Sequence, residues 1–213
     1  MKILSINRGI QRTVLRNLTQ KVTGIYKEPV AGPVEITVQG LAGDVITDKK
    51  HHGGPDQALY LYGQIDYDWW MGVLGDQIKP GLFGENMTIS GLESTRFNIG
   101  DMLMVGRVVL QVTAPRIPCA TLAARMGDPQ FVKKFKDTER PGLYCRVLAP
   151  GTVAVGDKVV VERYQGKTVS ILEMNRDFYD PNKTEAELRR YLNAPIDLRS
   201  RAYKEQQLAE ITG

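Results

Sequence analysis

One cysteine stands where a thiol could do chemistry. The segment Thr113–Gly127 carries an arginine, two prolines and then Cys119, ahead of a helix-forming stretch. Pro118 suits the first position of a helix, where a missing N–H is tolerated, so Cys119 is expected in or beside the first turn. The unpaired N–H groups there favour a thiolate, and Arg116 adds positive charge. Such a thiolate could be a nucleophile or a soft-metal ligand; the alternative is a small buried hydrophobe, as most free cysteines are.

A second candidate is the loop of residues 43–58, which contains both histidines of the chain. Adjacent His51 and His52 point apart in an extended chain, so the pattern does not indicate that they share a metal ion. Gly53 and Gly54 would let backbone N–H groups approach an anion closely. A solvated loop would explain the same residues. However, this loop leads directly into an apolar run of strand length, and functional loops are commonly held by such a scaffold.

Two further segments bring polar groups to predicted strands. Pro80–Asn86 is a turn-rich stretch in which one glycine permits close approach of a ligand, and Asn86 offers an amide. Taken alone, this stretch indicates a turn. Cys145 lies within a strand pattern and is predicted to be structural. If that strand alternates, Tyr144 and Arg146 face away from Cys145.

Composition and charge favour a globular protein and argue against a nucleic-acid-binding module. The 213 residues, 42% hydrophobic and 24% charged, suit a globular protein of one domain, or of one domain with a small addition. A net charge of +4 mildly favours anionic small molecules. The basic residues are scattered, and Trp69 and Trp70 lie beside acidic residues. A nucleic-acid module would instead need a basic face interleaved with aromatic residues.

The cysteines and the hydrophobic runs indicate the compartment. Cys119 and Cys145 are far apart and do not have the spacing of a zinc site or a disulfide framework. The N-terminus becomes polar too quickly for a signal peptide, and no apolar run approaches the length of a membrane span. A cytoplasmic location is therefore expected.

Residues 1–165 are predicted to be mainly β. Residues 34–38 alternate apolar and polar side chains, as a half-buried strand does. Residues 99–105 and 155–161 resemble one another, because in each a Gly-Asp turn starts a strand. Further strands are predicted at residues 2–6, 58–62, 86–89, 107–113 and 143–148. Many short strands separated by glycine and proline favour a barrel or sandwich.

Helices are predicted to interrupt these strands. Residues 65–74 form one, ended by Gly75, and residues 120–126 form another directly after the cysteine. Asp128 is predicted to cap a third, with a proline at its first position. Phe131 and Phe135 then lie on one face of it, four residues apart.

The C-terminal residues 166–213 are charged and periodic and are predicted to form three short helices. These are expected at about 168–178, 185–193 and 197–211, with Pro181 and Pro195 in the connections. Thr184 and Glu187 form a capping box. One apolar face is marked by Leu188, Tyr191 and Leu192. Helices this short are unstable alone, so they must pack on each other or on the β region.

Five motifs, taken in order, resemble those of the MOSC-domain family, named after the C-terminal domain of molybdenum cofactor sulfurase. They are His51–Tyr60, Pro80–Asn86, Ile99–Asp101, Val112–Cys119 and Arg140–Gly151. The tail resembles the three-helix domain of the YiiM-like branch. The resemblance spans nearly the whole chain. The Pro-Arg-x-Pro-Cys segment and the His-Gly-Gly loop are specific together, although either alone is a weak signal.

The resemblance implies an α+β fold that is mainly β. A MOSC-type β-barrel with flanking helices would span residues 1–165, and a small three-helix domain would span residues 166–213. It further implies a molybdenum cofactor, a molybdopterin whose molybdenum is ligated by Cys119. The implied activity is reduction of N-hydroxylated compounds such as 6-N-hydroxylaminopurine. Electrons would come from an NADPH-dependent flavoprotein reductase, and a homodimer is an expected assembly.

On this interpretation Cys119 is the metal ligand, and Arg116 pairs with an anionic part of the cofactor or stabilises the thiolate. The other residues expected to bind the cofactor line the same cavity: His52, Gly53, Gly54, Gln57, Asn86 and Lys21. The alternative hypothesis is a non-catalytic protein. It would carry molybdopterin, or sulfur as a persulfide on Cys119, and deliver it elsewhere.

Overall fold

A computed structural model describes residues 1–16, 18–49, 51–76, 78–180 and 182–213; Pro181 therefore lies outside the described residues. The strands are β1 (Ile3–Gly9), β2 (Arg12–Arg16), β3 (Thr19–Thr23), β4 (Lys27–Pro29), β5 (Val34–Thr37), β6 (Gly40–Leu41), β7 (Leu59–Gly63), β8 (Met87–Ile89), β9 (Met102–Val105), β10 (Val108–Ala114), β11 (Leu143–Ala149), β12 (Gly151–Val153) and β13 (Val160–Glu162). The helices are α1 (Gln64–Leu74), α2 (Ala120–Met126), α3 (Phe131–Asp137), α4 (Ile171–Asp177), α5 (Glu185–Leu192) and α6 (Leu198–Thr212). Within these ranges, every helix is too short or too polar to cross a membrane.

Eight strands form one mixed sheet in the order β13-β9-β10-β11-β7-β8-β1-β4. The neighbours are antiparallel except for β7 and β8, which run parallel. All five residues of β7 are buried, which explains its continuous apolar run, because a central strand is covered on both faces. The two Gly-Asp segments that resemble each other become neighbours, since Val160 of β13 pairs with Met104 of β9. The α+β class is confirmed.

The β-barrel expected from the resemblance is not found as a closed barrel among the residues that the structure describes. β13 and β4 are the two edges of the large sheet, while β12-β5-β6 and β2-β3 form separate small sheets. Residues just ahead of β13 do approach β1: the N–H of Ile3 donates to the carbonyl of Asp157 at 3.0 Å. Lys2 and Lys158 form an isolated bridge there. The N–H of Gly156 also donates to the carbonyl of Ile3 at 2.9 Å, and that of Val159 to the carbonyl of Met1 at 3.0 Å. These contacts join residues 1–3 to residues 156–159 without pairing β13 itself with β1.

The first three helices are confirmed, with corrections at their starts. α2 begins after Cys119, which is its N-cap, so Pro118 precedes the helix instead of opening it. α3 begins at Phe131, later than predicted. The carboxylate of Asp128 accepts the N–H of Gln130 at 2.8 Å, which makes a separate turn ahead of the helix. Phe131 is fully buried and, with its partner four residues later, faces the aromatic core as predicted.

The tail forms three helices that pack on the β region. The capping box of α5 is confirmed: the N–H of Thr184 donates to Glu187 at 2.8 Å, and the Thr184 hydroxyl accepts the N–H of Glu187. The N–H of Ile171 donates to the carbonyl of Phe97 at 2.9 Å, which ties α4 to the body. Buried tail residues join the same hydrophobic core as the large sheet. The division into two domains at residue 165 stays a prediction.

Candidate functional site

A cavity of about 560 Å³ lies beside the β2–β3 hairpin and the start of α2. Its positively charged lining side chains are Arg16, Lys21, Lys27 and Arg116. The carboxylate of Asp48 also lines it, and this carboxylate contacts the ring of His51 at 3.0 Å. Several glycines in the wall bring backbone close to the cavity. A cavity with this excess of cationic groups favours an anionic ligand.

The structure brings almost all the predicted site residues together around this cavity. They are Lys21, His52, Gly53, Gln57, Asn86, Arg116 and Cys119. Gly54 is not among the residues of the wall. Its carbonyl instead accepts the N–H of Gln57 at 3.0 Å. Gly54 therefore shapes the turn that presents Gln57, and its predicted cofactor contact stays a prediction.

Cys119 is partly exposed at the boundary between α2 and the cavity. Burial of its thiol opposes ionisation, yet the hydrogen bond with His52 and the charge of Arg116 lower the pKa of Cys119 from 9.0 to about 6. The N–H of Leu122 at the helix start adds a smaller contribution. The main partner of the thiolate is therefore a histidine from the loop rather than the helix terminus expected from the sequence. At neutral pH a thiolate of this kind is a nucleophile and a soft ligand.

Cys145 is the opposite case. It lies in β11 with no exposed surface, and burial raises the pKa of its thiol well above the ordinary value. Its neighbour Tyr144 lines the cavity, while Arg146 contacts Asp56 at 3.1 Å. The predicted alternation along this strand is confirmed, and Cys145 is a core residue.

Arg116 is a permanent cation in the cavity wall. It is 4% exposed, and its guanidinium lies 5.1 Å from the ring centre of Tyr60 while donating to the carbonyl of Phe83. Burial opposes its charge, but Tyr60, Tyr144 and Cys119 hold the pKa of Arg116 above its ordinary value. From this position Arg116 can stabilise the thiolate and can pair with an anionic ligand in the cavity.

Lys27 is a cavity residue that no sequence pattern indicated. Its ammonium is almost fully buried and forms an ion pair with Asp44. Burial lowers the pKa of Lys27, although the attraction of Asp44 opposes the shift. Asn86 holds this pair, since its amide donates to Asp44 at 2.9 Å while its oxygen accepts the N–H of Tyr60 at 3.1 Å. Asn86 therefore supports the cavity through contacts that use both ends of its amide.

The donor set indicates what kind of metal site could form here. Among the described residues, no group of three or more His, Cys, Asp or Glu side chains could hold an ion. Cys119 supplies one soft donor, and the surrounding wall is cationic. A metal bound at this thiolate would therefore need its other ligands from an anionic organic molecule. The residues fit a metal-bearing cofactor of that type.

Comparisons with known proteins show what the sequence and the fold of this chain resemble. Residues 48–160 match the MOSC domain family. The uncharacterized protein YflK of Bacillus subtilis (strain 168) is 33% identical over 191 residues, which cover 90% of this chain and 86% of YflK. A protein named reductase from Gibberella moniliformis (strain M3125 / FGSC 7600) is 32% identical over 159 residues, 72% of this chain but 28% of that protein. The crystal structure of YiiM from Geobacillus stearothermophilus matches with a TM-score of 0.79 at 28% identity, covering 97% of this chain and 98% of that one.

Proposed function

The chain belongs to the MOSC domain family, and on that premise we propose that it is a molybdenum-cofactor-dependent reductase of N-hydroxylated compounds. The observation that carries the proposal is the ionised Cys119, with a pKa of about 6, at the wall of a cationic cavity. A relative named reductase supports the oxidoreductase class. The substrates we propose are 6-N-hydroxylaminopurine and related N-hydroxylated molecules.

Four residues of the cavity wall have a defined part in this proposal. Cys119 would ligate the molybdenum, and Lys21 and Arg116 would hold the anionic groups of the molybdopterin. The backbone at Gly53 allows close approach. When bound, the cofactor supplies the two-electron chemistry that removes the N-bound oxygen of the substrate as water, with two protons consumed.

His52 keeps Cys119 ionised before any ligand binds. Its hydrogen bond with the thiol lowers the pKa of Cys119, and its Nδ1 lies 3.4 Å from the hydroxyl of Tyr144. This second contact orients the ring. A thiolate prepared in this way can ligate a metal without first losing a proton, because metal ligation requires the deprotonated thiol.

The substitution Cys119→Ser tests the ligand assignment. We expect it to abolish molybdenum retention and reduction of 6-N-hydroxylaminopurine, because the hydroxyl is a much poorer soft-metal ligand. Metal analysis by mass spectrometry and a reduction assay measure the two effects, with circular dichroism to show that the fold is intact. Cys145→Ala is the matched control and should retain molybdenum. Full molybdenum occupancy in Cys119→Ser would overturn the assignment.

A second candidate function is that of a carrier of molybdopterin, or of sulfur as a persulfide on Cys119. The low pKa favours it as well, since a thiolate is the form that accepts sulfur. Turnover separates the two candidates. Protein loaded with cofactor and given a chemical reductant reduces 6-N-hydroxylaminopurine repeatedly if it is an enzyme, and does not if it is a carrier.

The electron donor and the assembly are further parts of the proposal. We propose an NADPH-dependent flavoprotein reductase as donor, which is tested by NADPH oxidation that requires both proteins and an N-hydroxylated substrate. A homodimer is tested by light scattering on the purified protein. The cytoplasmic location stays a prediction.

A further inference from the structure

A second cavity of about 650 Å³ lies between the tail and the segment that leads to Cys119. Its wall includes residues of the Ala114–Cys119 segment together with residues of α4 and α6. It shares four lining residues with the cationic cavity: His52, Gln57, Cys119 and Tyr144. Cys119 therefore lies between two cavities. The first, with its cationic lining, suits an anionic cofactor, which leaves the second for another ligand.

The charges of this second cavity differ from those of the first. Lys204 is paired with Asp177 at 2.5 Å. Arg199 donates to the side chain of Gln57 at 2.9 Å and to backbone carbonyls of residues 49, 51 and 53. The cationic side chains in this wall are thus engaged within the protein. The second cavity consequently offers less to an anion than the first does.

Asp197 lies in this wall, and only one of its two carboxylate oxygens accepts hydrogen bonds from described residues. The residue is 2% exposed, and its Oδ1 accepts the N–H groups of Arg199 at 3.2 Å and Ser200 at 3.3 Å. Among the described residues, three buried polar atoms of this wall have no hydrogen-bond partner: Oδ2 of Asp197, the hydroxyl of Tyr179 and Oδ1 of Asp177, the last of which lies 3.3 Å from the ammonium of Lys183. Buried polar atoms are ordinarily paired, so Oδ2 of Asp197 and the Tyr179 hydroxyl are available to a ligand with N–H or O–H groups.

The remaining wall suits a planar ring. Four Phe and Tyr side chains line it, from Tyr144, Phe178, Tyr179 and Tyr203. Phe178 is 62% exposed and Tyr203 60% exposed, and aromatic faces of this kind stack on heterocycles. The cavity therefore combines an apolar, aromatic wall with one unpaired acceptor, Oδ2 of Asp197, while the other two carboxylates, Asp177 and Asp180, pair with lysines. A few polar groups in an apolar wall are common in small-molecule sites.

We propose that this second cavity binds the substrate, and that Oδ2 of Asp197 accepts an N–H of an amino-heterocycle whose N-hydroxyamino group faces Cys119. The chemistry at Cys119 rests on the proposed function, whereas the binding step does not depend on it. Asp197 is a binding residue in this proposal and takes no part in proton or electron transfer.

The test is the substitution Asp197→Asn in the full chain. Asparagine caps a helix as well as aspartate, so the cap of α6 is kept. In this variant the amide NH₂, which is a donor, takes the place of Oδ2, the acceptor that faces the ligand. We expect binding of 6-N-hydroxylaminopurine, measured by calorimetry without and with cofactor, to weaken about tenfold or more, as for loss of a charged hydrogen-bond partner. In the loaded enzyme, KM should rise by a similar factor with little change in kcat.

Asp180→Asn is the matched control. It is the same substitution in the same cavity, on a carboxylate that is exposed and paired with Lys183 at 3.1 Å. We expect its affinity for 6-N-hydroxylaminopurine to equal that of the unchanged protein. Equal affinity of Asp197→Asn and the unchanged protein would overturn the proposal. So would equal weakening by Asp197→Asn and Asp180→Asn.

A second variant covers the case in which Asp197→Asn fails to fold. Ser200 lines the second cavity and not the first, so Ser200→Trp should fill the second cavity and abolish binding of 6-N-hydroxylaminopurine while Cys119 keeps its pKa. Retained binding in Ser200→Trp would contradict the proposal. If 6-N-hydroxylaminopurine binds in a way that depends on Asp197 but is not reduced, only the proposed function is contradicted. Reduction with an unchanged KM in Asp197→Asn would contradict only this inference.

Discussion

At the scale of single residues, the ionisation of Cys119 depends on two neighbours that come from different parts of the chain. His52 belongs to the loop ahead of β7, and Arg116 to the segment after β10. Together they outweigh the burial of the thiol. The adjacent His51 makes a different contact, with the carboxylate of Asp48. The two neighbouring histidines therefore make different contacts, although the chain turns here, with the N–H of His52 donating to the carbonyl of Asp48 at 2.9 Å.

The first prediction concerns the pH dependence of Cys119 reactivity. The pKa of about 6 means that the thiolate fraction rises as pH rises through 6, so that roughly nine-tenths of the thiol is ionised at pH 7. Alkylation of cofactor-free protein by iodoacetamide, followed by mass spectrometry, should show a midpoint near that pH. Cys145 should stay unmodified while the protein is folded. A midpoint near the ordinary thiol pKa would contradict the assignment.

The substitution His52→Ala should raise the pKa of Cys119, because it removes the leading stabilising hydrogen bond of the thiolate. A rise of one pKa unit slows alkylation about tenfold at pH values below the original pKa of about 6, because the thiolate fraction there falls tenfold. His51→Ala is the matched control at the adjacent position and should leave the alkylation profile unchanged. Identical profiles for the two variants would contradict a specific role of His52.

At the scale of elements, α6 holds the loop that carries His52. Arg199, near the start of α6, donates to backbone carbonyls of residues 49, 51 and 53. A planar guanidinium can satisfy several carbonyls at once, which a lysine ammonium cannot do with the same geometry. The tail helix thus contributes to the position of a residue beside Cys119 without touching the thiol.

Arg199→Ala should therefore raise the pKa of Cys119 even though Arg199 does not contact the thiol. The expected effect is in the same direction as that of His52→Ala and smaller, measured by the same alkylation profile. Arg199→Lys should restore the profile in part, since the charge remains and the fork is lost. The control is Arg201→Ala on the same helix, whose side chain donates to Ala194 at 3.0 Å. A change of equal size in the control would show a general effect of the helix.

At the scale of the whole molecule, the tail and the β region share one core. Ile171 of α4 is fully buried in the same hydrophobic cluster as the strands of the large sheet. Both tryptophans lie in α1, a helix that belongs to residues 1–165 and not to the tail. Their fluorescence therefore reports on the body when a residue of the tail is changed.

Ile171→Ala should lower the free energy of unfolding by about 2–5 kcal/mol, the range for truncating a buried isoleucine. Because the core is continuous, tryptophan fluorescence and far-UV circular dichroism should shift to the same lower urea midpoint. Leu198→Ala, at a site 65% exposed, is the control and should change stability by less than about 0.5 kcal/mol. An unchanged tryptophan midpoint in Ile171→Ala would show that the tail unfolds independently.

Local features were predictable from the sequence because they depend on neighbours along the chain. Examples are the start of α2 directly after Cys119, the capping box of Thr184 and the glycines in turns. The start of α3 was wrong because Asp128 has two local choices, a turn or a cap, and the sequence does not rank them. The edges of the large sheet, which is not a closed barrel among the described residues, could not be predicted because they are set by long-range pairing.

The sequence by itself determined the family, the α+β class and the set of residues around Cys119, because these are carried by short contiguous motifs whose chemistry is readable in place. The tertiary structure alone decided which partner ionises the thiol, that Lys27 is buried beside Asp44, and that Asp197 faces a second cavity. Burial and pairing depend on contacts between residues far apart in the chain. For this reason the reactive group could be located from its motif, while its two neighbouring cavities required the folded chain.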